Sequence, residues 1–392
     1  MKILVTGSDG FIGFCLVQNL LKRGHTVYGM DAFFRRKMVN ERYSTSMIPI
    51  ASPQDRVAEL MKLGNFNFLE CNIATEPGIL EKVYKDFLPD VVINLAQMPA
   101  APYSMVDMQH GMFTIQNNVL GLHNILWLMR NYTPRSSLVT LGTMGEWGTP
   151  NLPIAEGFFK VEYEGMTDII PFPRQTNSIY HCSKQMGGDL CWMACRIWEL
   201  KVTEIQQGIV YGTRASEMQD NPLLKTRLDV DESFGTMINR AVASAIIEHP
   251  ILLYGAGSQI RAYIALRDSI ACLTLAAENP PDNTDSHHGY RVINQFDESY
   301  SCEDVAQIVK EVAKESFDID ATIKNVANPR VESEVHYYNP KHEKLYKMGW
   351  KPQRTIREEL VTMFNDLIPN KDLIEKYKHV IDPTITWKPK RF

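Results

Sequence analysis

Short apolar runs alternate with amphipathic stretches through the first half of the chain. The runs at 2–6, 25–31, 67–71, 90–96 and 137–142, with another near 202–210, predict strands. Stretches with helical spacing at 11–23, 77–87, 113–131 and 179–199 predict helices between them. Buried-strand runs separated by amphipathic segments predict βαβ units and a parallel sheet. The link from Asp31 to Asn67 is long. It carries a predicted helix at 54–63 and the basic run Arg35, Arg36, Lys37.

The texture changes after residue 212. The segments 233–249, 251–254 and 301–314 are shorter and more mixed, and 279–288 (NPPDNTDSHH) predicts a surface loop. The expected organisation is a doubly wound α/β sheet domain over 1–212, to which 261–300 returns. A smaller mixed α/β lobe is expected from 213–260 and 301–392, with a charged tail after Pro369 that wraps the surface or a partner.

Composition adds exclusions. The chain has 392 residues, 44% hydrophobic and 22% charged, with a formal net charge of -5. No basic block stands out, which argues against nucleic acid as a partner. No apolar run approaches the roughly 20 residues that span a bilayer, so no membrane role is expected. KILVT at the start reads as a strand rather than a leader, and the expected compartment is the cytoplasm. The seven cysteines form no CxxC, so neither a disulfide framework nor a metal site is expected.

The first chemical signal is TGSDGFIG, which spaces Gly7, Gly10 and Gly13 as GxxGxxG between a predicted strand and a predicted helix. Glycines there allow a tight turn and close approach of backbone N–H groups to a pyrophosphate, and the helix N-terminus adds partial positive charge. Asp31 ends the next strand, where a carboxylate can accept both ribose hydroxyls of NAD and would repel a 2′-phosphate. Arg35 and Arg36 keep NADP in view, but NAD is the expected cofactor.

The second signal is YHCSK, which puts Tyr180 and Lys184 on one helical face. An ammonium beside a phenol favours phenolate and lowers a pKa that is ordinarily ~10. The phenolate can take a proton from a sugar hydroxyl while hydride leaves the same carbon for nicotinamide. Thr143 lies just past the fifth strand, at the sheet edge where ligands gather, and can hold the reacting hydroxyl against Tyr180.

Together these residues resemble the extended short-chain dehydrogenase/reductase superfamily, whose members process nucleotide sugars. The strings APYSMVDMQHGMFTIQNNVLG, LGTMGEWGTPN, QGIVYGTR, YGAGSQIRAYIALRD, VINQF and NPRVESEVHYYN look like its UDP-sulfoquinovose synthase branch. The resemblance covers nearly the whole chain. It implies a Rossmann-type fold, bound NAD, a UDP-hexose substrate oxidised transiently at C4, and a homodimer or homotetramer pairing helices 113–131 and 179–199. It makes Thr143, Tyr180 and Lys184 the catalytic triad and Asn118 a structural support. Arg330 would grip the substrate's diphosphate, with Arg240 nearby and Gln259 and Arg261 on the sugar side. The cofactor site extends to Asp9, Phe11, Ile12, Asn72, Ile73, Leu95 and Ala96. The substrate site extends to Gln97, Tyr103, Met144 and Gln207.

The resemblance breaks after the fourth strand. Where that branch reads Glu-Gln-Arg, this chain reads Gln97-Met98-Pro99. A cation suited to an incoming sulfur anion is thereby replaced by proline. Arg261, Arg214 or His181 could serve instead, or the product differs. Sugar 4,6-dehydratases carry Thr-Asp-Glu at the triad threonine. Met144 and Gly145 follow Thr143 here, which disfavours that reaction, although Glu146 comes next. A UDP-sugar 4-epimerase needs neither the arginine nor the acids. A non-catalytic NAD-binding scaffold is the rival from outside enzymology, and the presence of both Tyr180 and Lys184 argues against it.

Overall fold

A computed structural model describes residues 1–215, 221–282, 284–331 and 337–388. Seven parallel strands form the main sheet: β1 (Lys2–Thr6), β2 (Thr26–Asp31), β3 (Phe66–Glu70), β4 (Val91–Asn94), β5 (Ser137–Thr143), β6 (Lys201–Gln207) and β7 (Tyr290–Gln295). Their spatial order is β7-β6-β5-β4-β1-β2-β3. The order reverses at β1, which pairs with both β2 and β4. A crevice therefore opens beyond the carboxyl ends of β1 and β4, where connections leave in opposite directions. The sheet is buried on both faces, which is why β1 and β4 are nearly unbroken apolar runs. One face packs Phe14, Leu16 and Leu20 of the helix Phe11–Lys22. The other packs Ile125, Met129, Cys191 and Ala194 from two later helices.

Chain segments far apart in sequence complete this sheet. Tyr290–Gln295 is its edge strand, in parallel register with β6. The helix Leu266–Glu278 lies beside Phe11–Lys22, with the Thr274 hydroxyl donating to Asn19 Oδ1 at 2.8 Å. Leu345 and Trp350 join the same core. A separate core holds the helices Met237–Ile246, Cys302–Phe317 and Ile356–Leu367, and a two-stranded parallel sheet of Ile251–Tyr254 and Ile323–Val326. Met47 and Ile48, from the long link after β2, are buried in that second core.

Three local differences from the sequence expectation have physical causes. The run at 202–210 is two strands. At Gly208 an added Cβ would come within 2.9 Å of the Ala262 carbonyl oxygen, and the chain leaves the main sheet there. Ile209–Tyr211 then pairs with Ile260–Ala265 in a three-stranded sheet. The helix expected at 113–131 begins at Met108, capped by the Asp107 carboxylate, and is interrupted by a π-helical turn at Gln116–Leu120. That turn buries Asn117 and Asn118. The link after β2 carries a further helix, Phe34–Glu41, before Pro53–Leu63.

No described helix is long and apolar enough to cross a membrane. No group of three or more His, Cys, Asp or Glu among the described residues could hold a metal ion.

Candidate active site

The crevice beyond β1 and β4 is one end of a cavity of about 820 Å³ that extends to the second core. Its first wall is the glycine turn. Gly7 sits at φ +79°, and a Cβ there would meet the Leu95 carbonyl at 2.5 Å. A Cβ on Gly13 would lie 2.0 Å from the Gly7 oxygen. The turn can be this tight only because both lack side chains. No side chain caps the helix that starts at Phe11, which leaves its N-terminal pole facing the crevice.

Asp31 closes this end. Its two oxygens accept the N–H groups of Asp9 (2.9 Å) and Phe33 (2.7 Å). Burial, with Asp9 adding repulsion, pushes its carboxyl up to about 6. Asp9 itself faces away. It is pinned by Arg36 at 2.7 Å and by the buried Arg56. The residues present fit NAD: a side-chain-free cradle for a pyrophosphate, an uncapped helix end, and a carboxylate with lone pairs left for ribose hydroxyls.

The middle of the cavity holds Thr143, Tyr180 and Lys184. Thr143 ends β5 and caps the following turn, accepting Gly145 N–H at 3.2 Å, while Glu146 accepts Thr143 N–H at 3.0 Å. Thr143 and Tyr180 both line the cavity, and the Thr143 hydroxyl acts on the Tyr180 phenol in the direction that lowers its pKa. Tyr180 and Lys184 lie one turn apart on the helix Ile179–Trp198, with the ammonium 5.5 Å from the phenol ring centre. Lys184 is fixed by the Leu141 carbonyl at 2.8 Å and by the Gln97 side-chain oxygen.

The electrostatics correct one expectation. Burial, with Glu146 adding, raises the Tyr180 pKa, so in this structure the phenol is not lowered by its lysine neighbour. Burial also pulls Lys184 down, opposed by Glu146. Glu146 is fully buried and pushed up by that burial, although Arg174 stands 2.7 Å away. The same guanidinium reaches Glu204 at 2.8 Å. His181, beside the triad, is held neutral, pushed down to about 3 by burial and then by Arg330, Arg261 and Lys184.

The far end is cationic. Arg240, Arg261, Arg330 and Gln259 line it. Arg240 donates to the Tyr254 hydroxyl at 3.0 Å, and Gln259 to the Tyr254 carbonyl at 3.1 Å. Arg35 lies between the ends. It pairs with Asp229 at 2.7 Å, and its guanidinium carbon sits 3.9 Å from the Phe234 ring centre.

The cavity wall also includes Phe11, Ile12, Asn72, Ile73, Leu95, Ala96, Gln97, Met144 and Gln207 from the sequence reading. It does not include Asp9, Arg36, Asn118 or Tyr103. Asn118 works from behind, bonding both backbone groups of Met98 and the Ser183 hydroxyl, and so ties the loop after β4 to the helix of Tyr180. Tyr103 turns its hydroxyl to Glu41 at 3.1 Å and packs on Phe234. Sequence reasoning missed Asn117, Tyr254, Glu232, Phe234 and Trp387, all in the wall. It also passed over the role of Glu146. Its signal was there: Thr143 and Glu146 have the spacing of a capping box.

The family model of the NAD dependent epimerase/dehydratase family matches residues 3–292. The chain is 39% identical to a UDP-sulfoquinovose synthase of Sulfolobus acidocaldarius, over 100% of this chain and 99% of that one. It is 36% identical to a chloroplastic UDP-sulfoquinovose synthase of Spinacia oleracea, over 99% of this chain and 79% of that one. Its fold is similar to the UDP-glucuronic acid 4-epimerase of Bacillus cereus, solved with UDP-glucuronic acid and NAD. The TM-score is 0.66 at 21% identity, covering 96% of this chain and 100% of that one.

Proposed function

This chain belongs to the NAD dependent epimerase/dehydratase family, and from that membership we propose that it modifies a UDP-linked hexose by transient oxidation at C4, in the manner of a UDP-sulfoquinovose synthase. The observation that carries the reading is one cavity. Its wall joins a pyrophosphate cradle, a threonine–tyrosine–lysine triad and a cluster of arginines, in that order.

NAD, when bound, accepts a hydride and later returns it. The chain's own groups do the rest. Gly7, Gly10 and Gly13 let backbone N–H groups approach the pyrophosphate, and Asp31 accepts the ribose hydroxyls. Thr143 and Tyr180 hold the sugar's 4-hydroxyl, and Tyr180 takes its proton. Burial and Glu146 both resist formation of the phenolate. The Thr143 hydroxyl works in the other direction. A C4 ketone acidifies the neighbouring C–H, which opens elimination and addition of a sulfur anion. Arg330 and Arg240 suit the diphosphate because a guanidinium fork meets phosphate oxygens at two points.

Pro99 lines the cavity where the resembling branch has arginine. Of the replacements considered, Arg214 is committed to Asp366 at 2.8 Å and lies off the wall. Arg261 lines it, close enough to depress His181. We assign Arg261 the docking of the anion. Pro99 also favours a second reading, a UDP-sugar 4-epimerase, which needs no anion site.

The exposed Met112, Leu120, Met186 and Ile197, on the helices around Asn118 and Tyr180, support a homodimer through those helices. Sedimentation should then show a dimer or tetramer rather than a monomer.

The deciding experiment incubates the protein with NAD and UDP-glucose, with and without sulfite, and follows products by mass spectrometry and NMR. A sulfonate mass gain is the expected result. A C4-inverted product of unchanged mass would establish the second reading instead. No turnover across a panel of UDP-hexoses would overturn both.

A further inference from the structure

The last segment of the described chain is clamped by an unusual use of charge. Glu232 is buried, and its carboxylate accepts the backbone N–H groups of Thr384 (2.6 Å) and Ile385 (2.7 Å) and the Thr384 hydroxyl (2.8 Å). Its own N–H donates to the Val380 carbonyl at 2.9 Å. His249 meets Asp382 at 2.9 Å, and Ile381 and Ile385 are buried. A buried carboxylate is costly unless its lone pairs are satisfied, and here the partners that satisfy it come from this strap.

What the clamp delivers is Trp387. Its backbone N–H donates to the Pro329 carbonyl at 3.0 Å, and its side chain lines the cavity. The next residue in that loop is Arg330, whose guanidinium carbon stands 5.1 Å from the Trp387 ring and 5.7 Å from the Tyr254 ring. Asn328 holds the Arg330 N–H at 2.9 Å from the other side. The arginine is thus set between two aromatic faces and its loop is pinned at both ends. A guanidinium flanked in this way loses little freedom when its fork takes up an oxyanion.

We propose that Trp387 is a positioning residue for Arg330, and that the strap 380–387, clamped by Glu232, completes the diphosphate end of the nucleotide-sugar site. The inference rests on the reading of the substrate as a UDP-sugar. It specifies which part of that substrate feels the strap: the diphosphate rather than the base.

Titration calorimetry of UDP and of uridine against the NAD-loaded protein tests this. Trp387→Ala should weaken UDP about tenfold, leave uridine and NAD affinity unchanged, and raise KM for the sugar nucleotide more than it lowers kcat. Trp387→Phe should restore most of the UDP affinity. Glu232→Gln, which cannot serve all the strap's donors, should shift UDP in the same direction as Trp387→Ala. Equal weakening of UDP and uridine, or unchanged UDP binding, would overturn the proposal while leaving the UDP-sugar reading intact. A wild-type protein that binds no UDP would overturn both.

Discussion

The two ends of the cavity are built by opposite means. At the NAD end the chain withholds side chains. Gly7 and Gly13 matter for what is missing, since a side chain on either would collide with backbone. At the end we assign to the nucleotide sugar the chain supplies charge: Arg240, Arg261 and Arg330, backed by Glu232 and the terminal strap. The first end is made by seven consecutive residues and one strand end. The second gathers residues from about 230 to 387. Steric permission is encoded locally, whereas a charge cluster needs the tertiary fold to converge. Between them the triad borrows from both, with backbone anchoring for Thr143 and a buried ion network behind Lys184.

The sharpest break in this comparison is at the junction. Tyr180→Phe removes the group we assign as proton acceptor and leaves both ends in place. Turnover should fall by about 10²–10⁴-fold, with NAD and UDP still bound by calorimetry. Substantial residual oxidation would mean that the two ends converge on some other base.

Next in size is the tie between the ends. Asp229 is buried and lies between Arg35, from the cofactor side, and Arg227. Burial pushes its carboxyl up, but Arg227 and Arg35 outweigh that and hold it below the ordinary range. Asp229→Ala strands two guanidinium groups and should cost about 3–5 kcal/mol of stability. Chemical denaturation measures this. A loss below about 1 kcal/mol, the range of an exposed pair, would show that the ends are held together elsewhere.

A third test separates steric permission from glycine as such. Gly13→Ala drives a Cβ to 2.0 Å from the Gly7 oxygen. It should destabilise by about 1–3 kcal/mol and abolish NAD binding. Gly78, also helical, has nothing within 4 Å of an added Cβ. Gly78→Ala should be neutral or stabilising by up to about 1 kcal/mol. Equal effects at both sites would remove the distinction between the turn and an ordinary glycine.

This asymmetry also decides what the sequence could reveal. The parallel sheet was legible because strands buried on both faces are apolar throughout, and the strand ends fell within a few residues of expectation. Gly7, Gly10, Gly13, Asp31, Tyr180 and Lys184 were legible because each motif is local. Arg36 was misleading: its charge looks available in sequence, but the folded chain gives it to Asp9. Gln97 lines the cavity as the sequence suggested, but nothing in the sequence signalled that its oxygen also holds Lys184. Trp387 and Glu232 gave no signal, because a clamp between residues 152 and 153 positions apart has no spacing to read. The break at Gly208 was hidden by the continuity of the apolar run, which obscures a change of sheet.

The smallest effect probes the NAD end, where the comparison assigns charge only a minor part. Asp31 is the exception there, a carboxylate pushed up to about 6 from an ordinary 3.8 by burial and by Asp9. With the folded value raised, the native protein binds the extra proton between those two values. Stability therefore falls as pH rises from about 4 to 6 and is flat above. Ligand binding has the opposite sign. The ionised carboxylate is the better acceptor for ribose hydroxyls, so NAD affinity should climb as pH rises through 6. By linkage, bound NAD pulls the Asp31 pKa down. The two backbone N–H bonds already favour the ionised form, so the gain should stay under about tenfold. Fluorescence titration of NAD between pH 5 and 7.5 measures it, with Asp31→Asn as the control that should show weaker and pH-independent binding. A flat wild-type profile would mean that Asp31 serves only to fix the turn at Asp9 and Phe33, leaving the NAD end wholly a matter of steric permission.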